Sequence, residues 1–284
     1  MRLKVLWLSL VFGLWLAVQF WPTDVSPACR LTILDVGQGD AILIQTPDHQ
    51  DMLVDGGPSS KIVELLPHYL GSGNRNLELI VLTHPDSDHL TGLVSVAKRF
   101  EIMTLLTSGV STDTATWHAW RKVLAERSVD ERVVQQGEQF QLGSYLKLEI
   151  LWPFLDAVRN SRTTATNEWS VGISLTCAGS TTVMVGDASS EVEERITASG
   201  VNVRASLLKV GHHGSRFSTS HSWLRAVQPR IAVISVGSRN RYHHPHPTTL
   251  RRLEYFRVEV HRTDLEGTLE FETDGRGNWR LTKT

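Results

Sequence analysis

Cysteine is nearly absent from this chain: its 284 residues hold two, Cys29 and Cys177. Neither has zinc-finger spacing, which excludes a cysteine-ligated structural metal. Two such residues can pair in an oxidising compartment or sit as small core residues in strands, and sequence alone does not decide between these. A surplus of either charge is also missing, with Lys+Arg 29 against Asp+Glu 30 and a formal net charge of −1. No global field therefore draws polyanions, and any contact with nucleic acid has to come from local basic loops. Low-complexity tracts and internal repeats are lacking, which excludes disordered and solenoid classes. What remains is a core-forming composition, 41% hydrophobic and 21% charged, in a length suited to one large domain or two small ones.

The N-terminus departs from that average. From Val5 to Trp21 no side chain is charged and only Ser9 and Gln19 are polar, with Arg2 and Lys4 before the run and Asp24 after it. About 17 apolar residues lie at the lower limit for a bilayer-spanning helix. A signal peptide has a shorter core and a small-residue cleavage site, which Ser26-Pro27-Ala28 could supply. A buried helix is the third reading, although the Trp and Phe residues clustered in Phe12–Trp21 suit an interfacial end. The expectation is a membrane anchor and linker over residues 1–27, cationic end inside, with residues 28–284 outside the cytoplasm.

Downstream, short strand-like runs Leu31–Val36, Ala41–Gln45 and Met52–Val54 are separated by glycine turns, as in an antiparallel meander. Helical stretches then alternate with strands: Lys61–Leu70, Gly92–Phe100 and about Thr114–Ser128 lie around strands Leu77–Leu82 and Ile102–Leu106. The second half repeats the style, with strands at Leu146–Leu151, Val171–Cys177, Thr182–Val185, Ala205–Val210 and Ile231–Val236. Its helices begin near Ser189, Ser220 and Thr248, and closing strands run from Val258 to Leu281. Strands first and helices after, in each half, predict two face-to-face sheets with helices outside, an αββα sandwich of the α/β (α+β) class. Turns between the early strands are too short for the crossovers of a wholly parallel sheet.

The strongest chemical signal is Thr83-His84-Pro85-Asp86-Ser87-Asp88-His89-Leu90-Thr91-Gly92, between an apolar strand and a helix. It puts four potential ligands, His84, Asp86, Asp88 and His89, within six positions. Imidazole and carboxylate are the donors that borderline to hard divalent ions take, and capping a helix would need only one of these residues.

The HxDxDH loop is similar to the HxHxDH signature of the metallo-β-lactamase superfamily, with Asp86 in place of the middle histidine. The strings Leu34-Asp35-Val36-Gly37-Gln38-Gly39-Asp40, Leu207-Leu208-Lys209-Val210-Gly211-His212-His213-Gly214-Ser215 and Asn240-Arg241-Tyr242-His243-His244-Pro245 narrow this. Together they resemble the C-terminal hydrolase domain of the ComEC family of competence DNA-uptake channels over roughly residues 30–275.

The resemblance implies a two-metal hydrolase. His84 and Asp86 would hold one ion, Asp88 and His89 the other, with Asp187 bridging. His212 or His213 would complete the second site, His212 being favoured as nearest the strand end. His244 would lie in a loop over the site, to stabilise charge or protonate the leaving group. The superfamily's further histidine on the first ion has no counterpart. His118, in a helical context, reads as a surface residue, and the corresponding strand offers Asn167 and Ser170. Three carboxylates and one hydroxide balance two divalent cations, so an anionic phosphodiester would not be repelled. Such a carboxylate-rich set suits manganese as well as zinc. Apart from the resemblance, Lys209, Arg216, Arg239 and Arg241 lie beside these loops and could contact phosphates, with Ser215 and Asn240 near them, although solvated loop charge is the more ordinary reading of any single arginine. Trp117, Trp120, Trp169 and Trp223 are candidates for base stacking but more ordinarily core residues. Ser215 reads as a turn or phosphate contact rather than a nucleophile.

The implied activity is hydrolysis of single-stranded DNA outside the cytoplasm, alongside a DNA-uptake channel or other competence proteins. Alternatives are an ester hydrolase acting on a phosphorylcholine-type or lactone substrate, or a non-catalytic DNA-guiding domain. Cleavage of β-lactams is the weakest, because Asp86 interrupts the usual histidine pair.

Overall fold

The computed structural model describes residues 28–71, 73–154 and 165–283. The apolar run 5–21, read as a membrane anchor, lies outside them, and among the described residues no helix is long and apolar enough to cross a membrane. In chain order the strands are β1 (Arg30–Ile33), β2 (Ile42–Gln45), β3 (Asp51–Val54), β4 (Asn76–Leu82) and β5 (Glu101–Thr107). There follow β6 (Asp130–Val133), β7 (Gln139–Leu142), β8 (Leu146–Trp152), β9 (Gly172–Cys177) and β10 (Ser180–Met184). The last are β11 (Leu207–Lys209), β12 (Ile231–Ile234), β13 (Glu259–Arg262), β14 (Leu269–Thr273) and β15 (Trp279–Lys283).

These make two sheets, one of 8 strands ordered β15-β14-β1-β2-β3-β4-β5-β6 and one of 7 ordered β13-β12-β11-β10-β9-β8-β7. The β1–β2–β3 meander is antiparallel as expected, and β3 to β6 then run parallel wherever a helix supplies the crossover. Strand alternation assigns the faces. Leu31, Ile33, Ile44, Met52 and Val81 pack in one cluster with Ile150, Ile173, Leu175, Leu207 and Val233 of the other sheet. Intervening residues Leu43, Leu53, Ile80 and Leu105 lie instead with Leu90, Leu93, Val96 and Trp120 of the covering helices. Val185, Leu208, Val210 and Ile234 do the same with Ile196, Trp223 and Leu253. The two-sheet sandwich with outer helices is thus formed by three apolar layers.

Cys29 and Cys177 form a disulfide, Cα–Cα 6.0 Å, that joins the start of β1 in one sheet to the end of β9 in the other. Several boundaries differ from expectation. The helix expected over Lys61–Leu70 is a turn of α-helix, Ile62–Leu65, continuing as a 3-10 turn over Leu66–His68, where Pro67 cannot donate to the ladder. The helix expected from Gly92 begins at Ser87, so Asp88 and His89 fall in its first turn. The helix expected over about Thr114–Ser128 runs Ala115–Arg127 and is capped by Thr114, whose hydroxyl accepts from Trp117 N. Trp120 and Trp223 are fully buried and Trp117 and Trp169 pack against the clusters, so these indoles serve packing.

Candidate metal centre

The signature loop leaves β4 and is set by three glycines, Gly56, Gly57 and Gly92. Gly56 N donates to His89 O (2.8 Å) and Gly92 N to Gly57 O (2.9 Å). A Cβ on Gly92 would stand 1.8 Å from Gly56 O, so no side chain fits at this crossing. Gly39, at φ +140°, passes as tightly over Asp88 O, which accepts from Asp40 N (3.3 Å). From the other sheet, Asp187 follows β10 and the histidine pair follows β11. His212 and His213 both adopt left-handed backbone, φ 47° and 51°. That conformation is uncommon outside glycine, and the ring buried within the His/Asp cluster is His213's.

Asp88, His89, Asp187 and His213 each offer a ligand atom, all within 4.8 Å of one another. His89 Nε2 is 3.5 Å from Asp187 Oδ1, and His213 Nε2 is 3.5 Å from both Asp88 Oδ2 and Asp187 Oδ2. These spacings are long for hydrogen bonds, whereas a tetrahedral ion about 2.1 Å from each donor sets donors about 3.4 Å apart. His84 Nε2 lies 3.8 Å from Asp86 Oδ2, and its ring is 4.1 Å from that of His89. Nε2 of His84, His89 and His213 and Oδ1 of Asp187 are buried without a hydrogen-bond partner. Orphaned buried lone pairs aimed at one locus fit a divalent cation.

Supports behind the rings fix which nitrogen faces the locus. Asp55 Oδ2 meets His89 Nδ1 at 2.7 Å, and Asp55 also accepts from Thr83 N (2.8 Å) and Thr83 Oγ1 (2.6 Å). His213 Nδ1 meets Ser235 O at 2.9 Å and Asp40 Oδ1 at 3.4 Å. His84 Nδ1 has Thr83 Oγ1 at 3.0 Å and Ser170 Oγ at 3.3 Å. Thr166 Oγ1 donates to Asp86 Oδ1 (2.5 Å), and Ser170 Oγ accepts from Asp187 N (3.2 Å). Thr166 and Ser170, rather than a histidine, therefore brace the side of the cluster held by His84 and Asp86.

Electrostatics follow from this packing. Burial, then the neighbouring His89, pushes His84 down to about 3, leaving it neutral with a free Nε2. Burial raises the Asp187 carboxyl, but His213 and His89 outweigh it and hold it well below the usual range. Burial alone would depress His89 and His213, yet Asp187 with Asp55 or Asp40 pushes both well up. The carboxylates thus stabilise positive charge at the centre, whether carried by protons or by a divalent ion. Burial raises Asp86, opposed by the Thr166 hydroxyl.

The other expected site residues divide. His212, the favoured ligand, is a third exposed, its Nε2 3.5 Å from Asp187 Oδ2, at the edge of the cluster that encloses His213. His244 is half-buried, its ring 5.8 Å from His212, and burial followed by His212 pushes it down to about 4. Arg216, Arg239 and Arg241 are exposed. Lys209 is a correction: it is buried in β11 and ion-paired to Asp40, so its ammonium cannot meet a phosphate. Asn240 is another, because its amide donates to Gly237 O and His244 O and accepts from His244 N, each at 2.8 Å. It shapes the His244 loop rather than a substrate. Ser215 is buried and its hydroxyl accepts from Phe217 N, as a turn residue does. His118 is on the surface, 2.8 Å from Asp113. Sequence reasoning missed Asp40, Asp55 and Thr166; the first two are acids set beside glycines at strand ends, a visible signal.

A family profile described as the metallo-beta-lactamase superfamily matches residues 34–238. The chain belongs to that superfamily. It is 28% identical over 271 residues to ComE operon protein 3 of Bacillus subtilis, covering 87% of this chain and 33% of that protein. Competence protein ComA of Neisseria gonorrhoeae is 29% identical (87% and 32% covered), and Recombination protein 2 of Haemophilus influenzae 30% identical (85% and 28%). These relatives are competence proteins of the ComEC type, and the chain spans about a third of their length. Among solved structures, the metallo-beta-lactamase fold protein YhfI of Bacillus subtilis is similar in fold, with TM-score 0.60 and 13% identity over 87% of this chain and all of that one.

Proposed function

We propose that this metallo-β-lactamase domain is a metal-dependent phosphodiesterase acting on single-stranded DNA outside the cytoplasm, tethered to the membrane by residues 1–27, in ComEC-type DNA uptake. The observation that carries the metal part is the set of buried, partnerless ligand atoms on His84, His89, Asp187 and His213. The competence relatives support the DNA part, and a disulfide across the sheets suits an oxidising compartment.

His84 and Asp86 would hold one zinc or manganese ion and Asp88, His89 and His213 the other, with Asp187 between them and His212 at the rim. When bound, such ions would supply an activated water and withdraw charge from a phosphodiester. The chain's own residues do the rest. Asp55 and Asp40 hold the rings of His89 and His213 in orientation. His244, kept largely neutral at pH 7 and carrying a buried Nδ1 with no partner, sits beside His212 to polarise a developing charge. Arg241, exposed beside the His244 loop, offers a phosphate contact.

The test is incubation of the purified chain with labelled single-stranded DNA in manganese, zinc or chelator, beside an Asp88→Ala Asp187→Ala variant. Cleavage that needs metal and is lost in the variant is the expected result. An intact strand with folded, metal-loaded protein overturns the nuclease reading and favours another ester or a DNA-guiding role.

A further inference from the structure

Two exposed aromatic side chains stand beside the metal centre, and the chemistry above uses neither. Phe217 is 61% exposed and Tyr242 50% exposed. Single exposed apolar residues are common and carry no meaning alone. These two share three features.

Each has an arginine on its face, with Arg216 Cζ 4.6 Å from the Phe217 centroid and Arg241 Cζ 5.1 Å from that of Tyr242. Each sits on a braced loop. Phe217 O accepts from Ser190 N (2.7 Å), while Arg252 donates to Arg216 O (3.2 Å) and Ser218 O (2.9 Å). The Tyr242 loop is closed by the Asn240 amide. Both rings also reach the centre through His212. Phe217 lines a cavity of about 340 Å³ together with Asp187 and His212. Tyr242 stacks on His244 (5.9 Å between centroids, planes 20° apart), which in turn packs against His212.

An exposed ring on a fixed backbone, backed by a cation, is what a nucleobase stacks on, since every base has a π-face and every linkage a negative charge. We infer that Phe217 and Tyr242, each with its arginine, form a stacking platform for unpaired bases flanking a phosphodiester at the metal centre. This rests on the phosphodiesterase reading and names the side chains that would select unpaired bases over a duplex. In a duplex the base faces are already covered by their neighbours, so a platform of this kind discriminates against it. Glu168 and Glu191 line the same cavity, and their charge keeps the polyanionic backbone toward the arginines.

The experiment measures fluorescence-anisotropy affinity of the metal-loaded chain for an oligothymidine, an abasic strand of equal length and a duplex, with strand integrity checked by gel. Oligothymidine and abasic strand carry the same phosphates, so their difference isolates the bases. Oligothymidine is expected to bind at least about tenfold more tightly than either of the others. Phe217→Leu Tyr242→Leu should erase the preference for thymidine over abasic strand, and Phe217→Trp Tyr242→Trp should keep it. Both positions are exposed, so neither substitution opens a core cavity. Equal affinity for thymidine and abasic strands, or a preference that survives the leucine variant, overturns the platform. Cleavage without base preference would sink the platform alone, and base preference without cleavage would sink the phosphodiesterase reading alone.

Discussion

Asp55 grips His89: its Oδ2 lies 2.7 Å from Nδ1, with both side chains fully buried. Because Asp55 also accepts two bonds from Thr83, strand and imidazole are locked as one unit before any ion arrives. Asp55→Ala is therefore expected to weaken metal affinity about 10- to 100-fold, as loss of a carboxylate behind a ligating histidine does. Competition with a chromogenic chelator measures it. Unchanged affinity would mean that His89 does not act as a ligand.

The Lys209–Asp40 pair is buried and sits behind His213. Removing one partner strands the other charge in the core, so Lys209→Met should cost about 3–5 kcal/mol by urea denaturation. Lys209→Met Asp40→Leu should recover part of that loss while still lowering metal affinity through His213. A single substitution costing under about 1 kcal/mol would show the pair to be hydrated.

Glu193 gives a pH dependence with a definite sign. Burial, opposed by the amides of Ser220 and Thr219, raises its carboxyl to about 7 from 4.5. Folding takes up a proton between those values, so this residue's contribution to stability falls as pH rises from about 5 to 7 and levels off above. The melting-temperature difference between wild type and Glu193→Gln should shrink, or reverse, across that interval. A difference constant with pH would contradict the assignment. Because Glu193 accepts from Thr219 N (2.5 Å) and Ser220 N (2.9 Å), the loop after the histidine pair feels the change.

The disulfide encloses a long segment, its cysteines 148 residues apart in sequence. Reduction, or Cys29→Ala Cys177→Ala, should lower stability by about 2–5 kcal/mol, read as a fall in the denaturation midpoint. A midpoint indifferent to reductant would show the bridge unformed in solution.

Much of this was legible in the sequence because apolar alternation and glycine turns fix strands independently of context. The strands from Leu31 to Val54 and from Val171 to Val185 were visible for that reason. β6 and β7 were not, since Asp130–Val133 and Gln139–Leu142 have no fully buried residue and so no apolar period. The start of the signature helix was misplaced because its first turn, Ser87-Asp88-His89, is polar and held by contacts with Gly56 and Gly57, distant in sequence. The His and Asp residues of that loop were readable as a cluster. Which histidine of the pair turns inward depends on two left-handed backbone positions, and Lys209 looked like a phosphate contact because its buried partner, Asp40, comes from the other sheet. Long-range pairs of this kind leave no local pattern.

On the proposed reading, the buried His/Asp cluster binds divalent metal and cleaves a phosphodiester. The most direct test is to titrate manganese or zinc into chelator-stripped protein, following bound metal and cleavage of single-stranded DNA in the same sample. Cleavage should rise with occupancy and level off at about two ions per chain. Stoichiometric binding with the strand left intact, or cleavage that persists in chelator, would contradict the account.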